Sequence, residues 1–204
     1  MRIPLLEKYN VPAPRYTSYP TVPYWEEEPP SEAEWKERVT GAFRRHNEIS
    51  LYIHLPYCES LCTYCGCNKR ITKNHAVEEP YIDTVLKEWK MYAALLPDRP
   101  VLRELHLGGG TPTFFSPANL RRLVSGILAD VDLPEDYEFG FEAHPGSTTP
   151  EHLSTLHELG FSRLSIGVQD FAPEILEIIN RRQTLDEVRE VTAWARELGY
   201  SSIN

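Results

Sequence analysis

From Ser50 onward the chain alternates between two patterns of apolar and polar positions. Short runs of β-branched and aromatic residues are followed by longer stretches with apolar residues at helical spacing. The strand-like runs are "SLYIHLP" (Ser50–Pro56), "VLRELHL" (Val101–Leu107), "YEFGFEA" (Tyr137–Ala143) and "RLSIGVQ" (Arg163–Gln169). Between the first two, Ile82, Val85, Leu86, Trp89, Ala93 and Leu96 mark one face of a helix. Ser116-Pro117 then supplies a cap and a first-turn proline. The face of that helix is Leu120, Leu123, Val124, Ile127 and Leu128. Thr149-Pro150 opens a third helix, which Gly160 closes. A short helix is expected around Glu174–Ile179, and Thr184 with Glu187 forms a capping box for another that ends near Gly199. "YSSIN" reads as the start of a fifth strand. Strands alternating with helices predict parallel βαβ units, in an open doubly wound sheet or a (β/α) barrel. Both architectures gather chemistry at the carboxyl ends of the strands. The features that follow the four strand runs there are a cysteine loop, three glycines, Glu142 and Gln169.

The first 49 residues read differently. "VPAPRYTSYPTVPYWEEEPP" is rich in Pro and aromatics and predicts extended surface chain. "SEAE" at Ser31–Glu34 is a capping box, and Trp35, Val39 and Phe43 follow at helical spacing, so a helix is predicted over Ser31–Arg45. The domain reading is therefore an N-terminal segment and helix over 1–49, followed by a βα-repeating domain over 50–204.

Composition narrows the partners. The 204 residues are 41% hydrophobic, enough for one globular domain with its own core. Net charge is −9, which disfavours a nucleic-acid partner. No stretch approaches the roughly 20 apolar residues of a membrane span, and "MRIPLLEKYN" lacks the apolar core of a secretory signal. The expected location is cytoplasmic. All four cysteines lie in "CESLCTYCGC", Cys58–Cys67. Thiols packed this tightly cannot staple distant parts of a fold. They suit a metal group. A structural zinc site usually draws on two Cys pairs a dozen or more residues apart, whereas one tight loop can wrap a compact iron–sulfur cube. The spacing favours the cluster, with zinc as the alternative and Cys67 as a possible fourth ligand.

C-x3-C-x2-C directly after a first strand resembles the radical S-adenosylmethionine (SAM) superfamily. The further stretches "SLYIHLPYCESLCTYCGCNK", "LHLGGGTPT", "FEAHP", "RLSIGVQDF" and "PRYTSYPT" resemble the oxygen-independent coproporphyrinogen III oxidases, in order and at similar spacing. The resemblance implies a partial (β/α) radical SAM barrel. It also implies that family members continue for about as long again, completing the barrel and adding a C-terminal domain. By resemblance, Cys58, Cys62 and Cys65 hold a [4Fe–4S] cluster whose fourth iron is left for SAM, and Cys67 matches a further cysteine that is not a ligand. Tyr52, Gly109, Gly110, Thr111 and Glu142 match SAM contacts, and Gln169 and Arg181 match contacts to a second SAM molecule. Tyr64, inside the loop, is expected to stack on or shield the ligand. Tyr52 and His54 share one face of the first strand by the period of two. With Cys67 they are the candidate catalytic residues, although His54 reads equally well as a core histidine. His144 departs from the family, where an acidic or amide residue is expected.

The activity that the resemblance implies is oxidative decarboxylation of two propionates of coproporphyrinogen III to vinyls, giving protoporphyrinogen IX. A propionate β-carbon C–H is unactivated, and no side-chain base could deprotonate it at neutral pH. A one-electron route avoids that step: SAM cleaved by the reduced cluster yields a 5′-deoxyadenosyl radical that abstracts the hydrogen. An electron donor such as a flavodoxin or ferredoxin is implied. Arg15, Lys69, Arg70 and Lys73 are candidates to meet substrate carboxylates. The isolated chain is expected to be inactive yet to retain some cluster binding. The rival readings are a heme chaperone or methyltransferase relative, a simple iron–sulfur electron carrier and a zinc-stabilised interaction module.

Overall fold

The computed structural model describes residues 4–10, 24–25 and 28–204. Arg15 and the "PRYTSYPT" stretch lie outside the described residues. The chain divides after Arg38 into two units. The first contains α1 (Pro4–Tyr9) and the start of α2 (Glu32–Arg45). The predicted capping box forms: the Ser31 amide donates to the Glu34 carboxylate at 2.9 Å, and the Glu34 amide donates to the Ser31 hydroxyl at 3.3 Å.

The second unit opens with β1 (Glu48–Leu55). Two two-residue strands that pair in parallel follow, β2 (Tyr57–Cys58) and β3 (Arg70–Ile71), and they bracket the cysteine loop. Then come α3 (Glu78–Ala93), β4 (Val101–Gly109), α4 (Pro117–Leu128), β5 (Glu138–Ala143), α5 (Pro150–Glu158), β6 (Phe161–Ile166), α6 (Pro173–Ile178), α7 (Leu185–Leu198) and β7 (Ser202–Ile203). The main sheet has the order β1-β4-β5-β6-β7, and every pair is parallel. This is the predicted α/β architecture.

The period-two pattern of the strands decides which face is covered. Ile53, Leu55, Leu105, Leu107, Phe139 and Phe141 are buried, in one core with Ile82, Trp89, Leu120, Leu123, Ile127, Leu153, Leu156 and Val191 of the helices. Each such side chain contributes about 1.5–3 kcal/mol when fully buried. The alternate positions Ser50, Tyr52, Glu104, Glu138, Glu142, Arg163 and Ser165 are exposed on the opposite face. Among the described residues, the helices therefore cover one face of the sheet, and the other is open and polar.

Strand starts shift by up to two residues, β1 opening at Glu48 rather than Ser50 and β6 at Phe161 rather than Arg163, and two further boundaries differ from expectation. Leu96 lies past the end of α3, because Leu95 and Leu96 turn back onto the carbonyls of Tyr92 and Ala93 ahead of Pro97. Gln169 lies beyond β6 rather than at its last position, in left-handed backbone with φ 70°.

Candidate functional site

The carboxyl ends of the strands carry the cysteine loop after β1, Gly108–Thr111 at the end of β4, His144–Ser147 after β5, and the segment from Gly167 to Thr184 after β6. These segments surround a cavity of about 470 Å³, within the roughly 300–1,000 Å³ of small-molecule sites. Cys58, Cys62, Tyr64, Cys65, Cys67, Gly109, Gly110, Thr111, Glu142, Gln169 and Arg181 all line it. Tyr52 lines instead a neighbouring cavity on the open sheet face, and His54 lines neither.

The cysteines are free thiols; Cys58, Cys62 and Cys65 are half-buried and Cys67 is exposed. Burial pushes the Cys58 thiol up, against the opposing pull of the Thr111 hydroxyl 3.3 Å away. Burial also raises Cys67. Among the described residues, no three His, Cys, Asp or Glu side chains stand close enough together to grip one metal ion. What bears on the metal group is the donor set itself: three half-buried thiols within one short loop, the arrangement that wraps an iron–sulfur cluster.

The three glycines have a structural reason of their own. A Cβ on Gly109 would stand 2.6 Å from the His54 ring, and one on Gly110 would stand 2.6 Å from the Pro56 carbonyl carbon. Gly109 also has φ +112°, a conformation side chains resist. The amides here are already used. Gly109 N–H donates to Glu142 Oε2 at 3.2 Å, Gly110 N–H to the Leu55 carbonyl at 2.8 Å, and Thr111 N–H to the Tyr57 carbonyl at 3.0 Å.

His54 is committed at both nitrogens. Its Nε2–H donates to the Asn68 carbonyl at 2.6 Å, which leaves Nδ1 to accept from the Tyr52 hydroxyl at 3.1 Å. His54 thus ties β1 to the end of the cysteine loop. Lys69 closes the same loop, donating to the carbonyls of Cys65 at 2.9 Å and Cys67 at 3.2 Å. Its charge is engaged there. Lys73 lines the cavity, whereas Arg70 sits exposed on β3 away from it.

Glu142 is held ionised. His106 beside it, 3.8 Å from Oε1, and the Gly109 amide keep its carboxyl below the usual range despite partial burial. His106 also stacks on Tyr52, with centroids 6.0 Å apart and planes at 12°. The sequence reading missed His106. Its alternation with Leu105 and Leu107 in "ELHL" put it on the face of Tyr52 and Glu142, and that was the available signal. His144 lines the cavity as a neutral ring, since burial and then Arg181 lower it to about 4, and its Nδ1 accepts from the Gly146 amide at 3.0 Å. Burial pushes the Tyr64 phenol up to about 12.

Arg181 donates to the Gln183 side chain at 2.8 Å, to the Gly167 carbonyl and toward Cys62 Sγ at 3.7 Å. Asn180 and Thr63, also missed, join the same junction.

Comparison with known proteins supplies the context. An oxygen-independent coproporphyrinogen III oxidase of Pseudomonas aeruginosa is 39% identical over 203 residues, covering 98% of this chain and 44% of that protein. The protein of that name from Escherichia coli K12 is 37% identical over 202 residues, covering 98% and 43%. The solved structure of coproporphyrinogen III oxidase from Escherichia coli, described as a radical SAM enzyme, superposes with a TM-score of 0.87 at 34% identity. It is matched over 99% of this chain and 44% of that one. The chain thus spans less than half the length of these relatives. The family model of the radical SAM superfamily matches residues 52–204. That match runs from within β1, through the cysteine loop and the glycines, to the last residue, and the chain belongs to the radical SAM superfamily.

Proposed function

We propose that this chain is the cluster- and SAM-binding part of an oxygen-independent coproporphyrinogen III oxidase, acting in the cytoplasm in porphyrin synthesis. The observation that carries this reading is convergence. Three free cysteines, the Gly109–Thr111 turn and an ionised Glu142 line one cavity at the carboxyl ends of the strands. The named relatives supply the substrate class.

Cys58, Cys62 and Cys65 would hold a [4Fe–4S] cluster as thiolates, so loading releases their protons. With SAM bound, the pair supplies a one-electron route to hydrogen abstraction from an unactivated carbon. The chain's own residues bind and orient. The Gly109–Thr111 amides are spent inside the fold, so this turn meets a ligand's amino group with acceptors. Glu142 offers its carboxylate to ribose hydroxyls, while the Gly109 amide and the nearby His106 keep it charged and in place. Gln169 and Arg181, on the segment after β6, line the same cavity and would extend the site toward a second SAM molecule. Tyr64 and Cys67 line the cavity where substrate carbon would lie, and Tyr52 stands outside it, in the neighbouring cavity on the open sheet face. Lys73 and Arg182 line the cavity and would be available to a substrate carboxylate. A low-potential carrier such as a flavodoxin or ferredoxin would supply the electron.

The test is anaerobic reconstitution of the chain followed by titration with SAM, then with coproporphyrinogen III or heme. About four irons per chain, a site-differentiated Mössbauer spectrum and a SAM-dependent change in the cluster's electron paramagnetic resonance are expected. A further spectral change is expected on adding coproporphyrinogen III. A response to heme alone would move the assignment to heme-handling relatives. A loaded chain that does not respond to SAM would overturn the reading altogether.

A further inference from the structure

We propose that the α6–α7 turn, Ile178–Arg181, is a latch that holds the cysteine loop in the shape that retains the cluster, with Asn180 as its positioning residue. The inference rests on reading Cys58, Cys62 and Cys65 as cluster ligands.

The cysteine loop has little regular structure of its own between β2 and β3. Its middle, Leu61–Thr63, is bonded to the turn instead. Asn180 Nδ2 donates to the Leu61 carbonyl at 2.7 Å. The Thr63 amide donates to the Ile179 carbonyl at 3.1 Å, and the Thr63 hydroxyl to the Ile178 carbonyl at 3.3 Å. Arg181 Nη1 approaches Cys62 Sγ at 3.7 Å. Cys62 is thus flanked on both sides by residues tied to a segment more than a hundred positions away. Loop residues that bind a cluster have to be ordered before it arrives or by it. A seam of this kind lowers the entropy that loading would otherwise cost.

Asn180 has a second role, and the two can be separated. It sits at φ 51°. The Arg181 amide donates back to the Leu176 carbonyl at 2.8 Å and the Asn180 amide to the Glu177 carbonyl at 3.1 Å. This is the Schellman arrangement that ends α6, with Asn180 as the left-handed residue. Glycine is the residue most at ease in that position. Asn180→Gly therefore preserves the helix end and removes the side-chain bond to Leu61. If Asn180 were only a helix cap, glycine would serve as well or better.

The experiment compares the reconstituted chain with Asn180→Gly and with Thr63→Val, which removes a donor from the other side of the seam. Iron release to a chelator is followed anaerobically, alongside thermal melts of the apo forms. Asn180→Gly is expected to melt like the parent and to release iron several-fold to about tenfold faster, the scale of one lost hydrogen bond. Thr63→Val should shift release in the same direction, and it serves as the reporter if the glycine variant does not fold. Release at the parent rate by the folded variants overturns the latch while leaving the ligand assignment standing. A parent chain that takes up no iron overturns the ligand assignment and the latch with it.

Discussion

Cys67 lies two residues past Cys65, yet it is exposed while the other three thiols are half-buried. That difference supports three ligands and one bystander. Alanine at Cys58, Cys62 or Cys65 is expected to abolish the reconstituted cluster, whereas Cys67→Ala should keep about four irons per chain by chemical analysis. Loss of the cluster in Cys67→Ala would make it a fourth ligand. Glu142 raises a separate question, because a strand-end carboxylate can be a mere ion-pair member. Here His106 stands 3.8 Å away and both side chains remain about half exposed, so the pair itself contributes little. Glu142→Gln is nearly isosteric and removes the charge. It should leave the cluster intact and weaken SAM binding in a calorimetric titration by about 1.5–3 kcal/mol, the scale of hydrogen bonds to a charged group. An unchanged affinity would reduce Glu142 to a structural role.

Among the elements, α4 and α5 show how the strand ends are held in place. Glu78, at the start of α3, is buried and accepts from the Ser116 amide and from Asn119 Nδ2, both at 2.8 Å, at the opening of α4. Burial pushes this carboxyl up, but the bonds from Asn119, Ser116 and His75 outweigh that and leave it below its ordinary 4.5. His152, at the third position of α5, completes a capping box with Thr149 through Nδ1. Its Nε2–H donates to the Phe115 carbonyl at 3.0 Å, and burial lowers its pKa. Both groups have folded values below their unfolded ones. Each therefore contributes stability above its unfolded pKa and loses it as pH falls through the folded value. The chain should unfold more readily in acid, first as His152 is forced to charge below about 6.5 and then as Glu78 protonates below about 4.5. Urea melts across that range test this. Glu78→Gln should cost about 1.5–3 kcal/mol near neutral pH and flatten the acid limb of the profile. An unchanged profile would mean that other groups set the acid dependence.

At the scale of the whole molecule, the main sheet among the described residues has β1 and β7 at its two margins and one polar, exposed face. Unpaired margins present rows of free N–H and C=O groups. Self-association that rises with protein concentration is therefore expected in sedimentation velocity. A strictly monomeric chain at high concentration would show that the margins are protected. The same open face holds the second cavity, lined by Tyr52, Glu104, His106, Glu138 and Arg163. Its exposure predicts that hydrogen exchange of β1 and β7 amides is faster than that of β4 and β5, which are paired on both sides.

Much of this arrangement is local and was legible in the chain itself. The alternation in "YEFGFEA" foretold one buried and one polar face, because a strand reverses its side chains at every residue. Ser31 with Glu34, Ser116-Pro117 and Thr184 with Glu187 marked helix starts, because capping is a contact within one turn. The C-x3-C-x2-C spacing pointed to a cluster loop for the same reason. What only the tertiary structure decided are contacts between residues far apart in sequence. His54 proved to be an anchor for Asn68, which depends on where the loop returns. The glycines keep clear of His54 and Pro56, a constraint that exists only once β1 and β4 pair. His152 served as a cap partner in place of the usual Glu or Gln, because the Phe115 carbonyl fixes its other nitrogen. Asn180, unremarkable in "NRRQ", became the tie to Leu61 across 119 residues. Local patterns report the bonds that one turn or one strand can make, and chain closure in three dimensions decides the others.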